Sequence, residues 1–164
     1  MVTASDITPD FTDSKFSPDN TSPSPCGQPN TATEVPPTID VGNDASNSTN
    51  DLFFEEEVTV YKDANTAKKA FDLGKQGANC TEGTTKDGTK FTFTPPQDVT
   101  SDFSGVDEAV QITFSNDTLQ GEIFAVLNAD GIAVFQFVGK TTADTSSVPS
   151  PESLAQLGVE KLAS

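Results

Sequence analysis

The chain contains no histidine, no arginine and no tryptophan, and only one tyrosine and two cysteines. Without histidine, the usual nucleophile–base pairs of hydrolases cannot be built. Without histidine or a CxxC pair, a zinc site lacks its ligands. All nine basic residues are lysines; they face 25 acidic residues, and the formal net charge is −16. A surface so acidic repels phosphate backbones, which disfavours nucleic acid, and anionic headgroups, which disfavours membrane contact by this fragment. No stretch approaches the roughly 18 apolar residues of a membrane span. No glycine-rich loop is placed to cradle phosphate. With 25 acids, carboxylate pairs arise by chance, so a two-carboxylate hydrolase has no specific signal. The expectation is a non-enzymatic protein with no metal and no cofactor.

What is present is concentrated in the second half. Hydrophobic residues make up 34% of 164, few of them among the first fifty. This length suits one ordinary domain. The expected organisation is an irregular N-terminal segment over residues 1–30 and a single α+β domain over residues 31–164. Met1-Val2-Thr3 leads directly into polar sequence, so the expectation is that these residues are not a secretory leader. A cytoplasmic protein and a mature fragment both fit; the cysteines favour the second. Cys26 and Cys80 are either separate buried thiols or one disulfide formed in an oxidising compartment. A bridge closing about 55 residues contributes roughly 4 kcal/mol in the chain-entropy model. In a chain this poor in apolar residues that favours the bridge, which would tie the turn-rich loop 22–27 to the domain.

The clearest pattern runs from 108 to 139 and predicts a three-stranded antiparallel meander. Val110, Ile112 and Phe114 alternate with Gln111 and Thr113, the period of a half-buried strand. Asp130-Gly131 separates two apolar runs and supplies the positive φ of a hairpin turn. Further strands are predicted at 52–62 and 90–94, with an edge strand at best around 35–41, where Pro36-Pro37 removes two donors. Residues 42–50 read as a polar linker. Asp63 caps a helix whose stripe is Ala67, Ala70, Phe71 and Gly74. Ser150-Pro151-Glu152 opens a second helix carrying Leu154, Leu157 and Leu162. Together these predict an α+β fold: a largely antiparallel sheet of five to six strands, with two helices packed on one face.

Oxygen clusters at Glu55-Glu56-Glu57 and at Asp98, Asp102 and Asp107 do not match a calcium loop and read as solvated charge. The three glutamates suggest a solvated strand edge or end. The aromatics are more informative. Phe91 and Phe93 share one strand face, Phe135 and Phe137 another, and the last strand is apolar on both faces. That is unusual unless both faces are covered. Either the helices cover one face and the N-terminal segment the other, or part of one face lines an apolar pocket. Tyr61, Phe91, Phe93, Phe135 and Phe137 are the candidate cleft residues.

The strand–helix–Cys unit from Glu57-Val58-Thr59-Val60-Tyr61-Lys62-Asp63 through Ala70 to Cys80, with the closing helix over 151–162, resembles the PknH-like extracellular sensor domain family. Its members occur on an actinobacterial Ser/Thr kinase and in secreted proteins and lipoproteins. The kinase-linked members carry two disulfides, whereas this chain has cysteines for one. Gly77-Ala78-Asn79 stands where an aromatic often precedes the post-helix cysteine. The resemblance implies an extracytoplasmic, non-enzymatic domain, secreted or tethered at the cell surface. Its cleft against the sheet would bind a small molecule, a lipid or a cell-wall fragment. The alternative is a structural or interaction module of the cell envelope, whose acidic surface or sheet edge contacts another protein.

Overall fold

The computed structural model describes residues 1–18, 24, 26–49, 51–85 and 87–163. Part of the loop expected at 22–27 lies outside them. The elements in order are α1 (Ala4–Ile7), β1 (Thr12–Ser14), α2 (Thr31–Glu34), β2 (Ile39–Asn47), β3 (Leu52–Val60), α3 (Ala64–Gly77), β4 (Glu82–Thr84), β5 (Lys90–Phe93) and β6 (Gln97–Asp98). A short 3-10 turn at Thr100–Asp102 leads into β7 (Glu108–Ser115), β8 (Leu119–Asn128), β9 (Gly131–Lys140) and α4 (Pro151–Leu162). The nine strands form one antiparallel sheet in the order β1-β2-β3-β9-β8-β7-β5-β4, with β6 also paired to β7.

The predicted α+β class and antiparallel sheet hold, and the sheet is larger than the five to six strands expected. The added strands come from polar sequence. β2 runs through the segment that reads as a linker, because it pairs with β3 over nine residues and buries Ala45 and Asn47. Backbone pairing and burial of alternate side chains outweigh weak strand propensity there. The predicted helix starts hold: Asp63 accepts from the Thr66 amide at 2.8 Å, and Ser150 accepts from the Ser153 amide at 3.2 Å. The last hairpin turns one residue earlier than expected. Asn128 pairs with Gly131, and Ala129 takes the positive φ, at 51°. Asp107 holds that strained residue by accepting its amide at 2.8 Å.

The two long helices lie on opposite faces of the sheet, not on one. Ala133, Phe135 and Phe137 of β9 pack with Phe54, Phe124 and Val126 under Leu154 and Ala155 of α4. Ile132, of the opposite parity, packs with Val110 and Leu127 under Ala67, Ala70 and Phe71 of α3. Both sides of β9 are apolar because both are covered. The N-terminal segment shares the α4 face. Val2, Ala4, Ile7 and Phe11 are buried in that core, so residues 1–14 add a helix, a strand and apolar contacts, unlike the irregular lead-in their composition suggests.

Gly158 sets how closely α4 approaches. A Cβ there would sit 2.1 Å from a ring carbon of Phe135, which is itself fully buried. Alanine gains roughly 1 kcal/mol of helix propensity at an exposed site. Here Gly158→Ala is expected to destabilise by about 1–3 kcal/mol, as overpacked cores do. Urea denaturation compares it with wild type, and a stabilised variant would show that α4 is not held against Phe135.

Candidate functional site

The two faces are filled to different degrees. On the α4 side, Phe54, Phe135 and Leu154 are almost wholly enclosed. On the α3 side, the helix and the segment before it cover part of the sheet and leave a concave cavity of about 460 Å³. Its floor is apolar: Val110, Ile112, Ile123, Ala125, Ile132 and Val134. Its roof combines Ala70, Phe71 and Gly74 of α3 with Cys26, Pro29 and Asn30. One wall is β3, where strand alternation points Glu55, Glu57 and Thr59 inward, followed by Tyr61.

The roof depends on the disulfide. Cys26 and Cys80 are bridged with their Cα atoms 5.8 Å apart, and the Ser24 hydroxyl donates to the Gly77 carbonyl at 3.0 Å. These contacts tie the loop to the end of α3. Lys75 also lines the cavity, 5.1 Å above the Phe71 ring, and is ion-paired with Glu108 and with Asp72 at 3.1 Å.

The β3 wall is acidic because β2 continues it. The register sets Asp44 opposite Glu55, Gly42 opposite Glu57 and Asp40 opposite Thr59, so these side chains share a face. Burial pushes the Glu57 carboxyl up to about 7, helped by the Asp40 and Glu55 charges and a hydrogen bond with Asp40. Burial also raises Glu55, with Asp44 adding to it, and raises Asp44 itself. The Tyr61 phenol is raised by burial, against a hydrogen bond with Thr59, with Glu57 and Asp40 adding to the rise. Gly42 keeps the wall low: a Cβ there would meet ring carbons of Phe16 at 2.7 Å, so that ring lies across the wall.

Of the five predicted cleft aromatics, the cavity brings together Tyr61 and Phe93. Phe91 is outside the cavity lining, in a cluster with Phe93 and Phe114 whose ring centroids are 5.7–6.2 Å apart. Phe135 and Phe137 are on the opposite face, in the α4 core, because the odd-numbered positions of β9 point away from α3. Phe137 also borders a second cleft of about 610 Å³ beside residues 145–151, where polar side chains such as Thr92, Thr113, Ser115 and Gln120 are interspersed with Leu52, Phe93, Phe114 and Val148, and, among the described residues, no buried acidic wall faces them. The α3-side cavity is the stronger site because it combines an apolar floor with convergent ionisable groups.

The glutamate run is split by the same alternation. β3 is an interior strand, so the run is not a solvated edge: Glu56 is wholly buried on the α4 face, and Glu55 and Glu57 turn to the cavity. Asp98 binds Thr100 while Asp107 holds Ala129, so those loop acids serve separate turns. Among the described residues, no three Cys, Asp or Glu side chains cluster as a metal site. Sequence reasoning missed the acidic wall, although Glu55, Glu57 and Tyr61 already shared one strand face.

A solved structure with a similar fold is the extracellular domain of PknH from Mycobacterium tuberculosis. The TM-score is 0.59 with 14% sequence identity, over 92% of this chain and 82% of that one. At this identity the likeness is one of fold, and it bears out the expected PknH-like architecture. No protein-family model matches the chain, and no curated protein matches it.

Proposed function

We propose that this chain is an extracytoplasmic, non-enzymatic, sensor-like domain that binds a small molecule, lipid or cell-wall fragment in the α3-side cavity. The observation that carries the reading is the cavity itself, a preformed apolar concavity under a disulfide-tethered roof. The bridge supports an oxidising compartment. The fold shared with the PknH extracellular domain supports the same location. No helix among the described residues is long and apolar enough to cross a membrane.

Tyr61 provides a built-in reporter. It is the chain's only tyrosine, there is no tryptophan, and it lines the cavity. Titration with the neutral apolar probe N-phenyl-1-naphthylamine is expected to change Tyr61 emission saturably, with probe fluorescence rising in parallel. Ala125→Trp places an indole on the floor and is expected to reduce probe affinity at least about tenfold, a filled pocket having no room to desolvate a ligand. Unchanged probe binding in a folded Ala125→Trp variant would remove the cavity as the site.

A further inference from the structure

The cavity has two chemically different parts, an apolar floor and an acidic wall. We infer that its ligand is an amphiphile with a protonated amine head, the head against Glu55 and Glu57 and the apolar body along Ile112, Ile123, Ala125 and Val134. The inference rests on the cavity being the ligand site, as proposed above.

Three observations point to an organic cation. First, the β2–β3 register gathers Asp40, Asp44, Glu55 and Glu57 on the face that borders the apolar floor. An anionic head would add charge to that wall, and a neutral one would leave it uncompensated. Second, Lys75, the lysine lining the cavity, already pairs with Glu108 and Asp72. An Asp44 carboxylate oxygen is also buried with no hydrogen-bond partner among the described residues. Third, the described acids do not cluster as a metal site, whereas the Phe16 ring lies across the same wall. A ring face next to carboxylates suits an alkylammonium, which gains from both.

The wall also couples binding to pH. The charged groups facing Glu57 are Asp40 from β2 and Glu55 from β3, with Lys75 across the cavity on α3; Thr59 and Tyr61 add hydroxyls. An arriving ammonium favours the ionised Glu57 carboxylate. Because that carboxyl titrates at about 7, amine binding near neutrality releases a proton and strengthens as pH rises from 6 to 8.

The test is isothermal titration of the folded, oxidised protein with octylamine, 1-octanol and octanoate, which share one chain length and differ in head charge. At pH 7.5 in physiological salt, octylamine is expected to bind roughly tenfold or more tighter than 1-octanol, and octanoate weakest. The double variant Glu55→Gln/Glu57→Gln keeps shape and should fold, since it removes repulsion. It is expected to bring octylamine down to the affinity of 1-octanol while N-phenyl-1-naphthylamine binding persists. Glu152→Gln on exposed α4 surface controls for non-specific attraction to an acidic protein and is expected to change nothing. Equal affinities for octylamine and 1-octanol, or an octylamine loss as large in Glu152→Gln as in the double variant, would overturn the amine assignment and leave the cavity standing. Probe and octanol binding indifferent to Ala125→Trp would instead overturn the cavity reading beneath it.

Discussion

Replacing Cys26 and Cys80 together by serine is expected to lower stability by about 4 kcal/mol, the loop-closure entropy that the bridge removes from the unfolded chain. The bridge joins residues 54 apart, so the closed loop is long. For a chain of this length, such a loss lowers the melting temperature by roughly 8–16 °C. Binding should fail as well, because Cys26, Pro29 and Asn30 form the roof of the cavity and are anchored through Cys80 to the end of α3. Beside the bridge, the segment is held by the Ser24–Gly77 hydrogen bond and by Val35, which is buried in the α3-side core, while α2 itself buries no residue. Thermal unfolding of oxidised wild type and of the double serine variant measures the effect. A loss below about 1 kcal/mol would show that packing, not the bridge, holds the roof.

Glu56→Ala is expected to cost about 2–4 kcal/mol, combining an unsatisfied buried amide with a cavity in the core. Glu56 is wholly buried on the α4 face, and one carboxylate oxygen accepts the Val2 amide at 2.5 Å. That bond seats the N-terminal segment, which places Val2, Ala4 and Ile7 in the main core. The other oxygen has no partner among the described residues. Burial raises the Glu56 carboxyl, against the lowering effect of the Val2 hydrogen bond. Glu56→Gln keeps an acceptor without a charge and is expected to cost less than 1 kcal/mol or to stabilise slightly at neutral pH.

The direction of the pH dependence follows. A carboxyl whose folded pKa lies above its unfolded value contributes stability that is complete below the unfolded pKa and lost as pH rises through the folded one. Glu56, Glu55 and Asp44 act in this sense, as does Glu57, from 4.5 to about 7. Asp6 acts oppositely: the hydrogen bond that it accepts from Lys161, backed by bonds from Thr3, lowers it from 3.8 to about 2, and its contribution is lost as pH falls through that range. Maximum stability is therefore expected on the acid side of neutrality, declining toward pH 8, and Glu57→Gln should flatten the decline. Chemical denaturation at pH 5, 6.5 and 8 measures it. A wild type more stable at pH 8 than at pH 5 would show that these carboxyls are not buried as described.

How legible these features were depended on whether local pattern or long-range pairing decided them. The meander was legible because its strands alternate and Asp130-Gly131 marks the turn to within one residue. The caps at Asp63 and Ser150 were legible because a single side chain performs each. β2 was not, since its nine residues resemble a linker until β3 offers a partner. The helix faces were not legible either. An apolar stripe says that a helix packs, but parity along β9, apolar on both sides, does not say which helix takes which side. For the same reason Phe135 and Phe137 looked equivalent to Tyr61 and Phe93, although they belong to the α4 core. The acidic wall arises from register: Asp40 and Asp44 become neighbours of Glu55 and Glu57 only when β2 folds back along β3.

The most direct test of the central claim is to locate the bound probe by methyl NMR. With N-phenyl-1-naphthylamine added to isotope-labelled protein, methyl shifts are expected at Val110, Ile112, Ile123 and Val134, which line the α3-side cavity. The methyls of Val126 and Leu154, on the α4 face, should stay in place. Shifts centred on the α4 face, or no saturable shifts at all, would contradict the assignment of this cavity as the binding site.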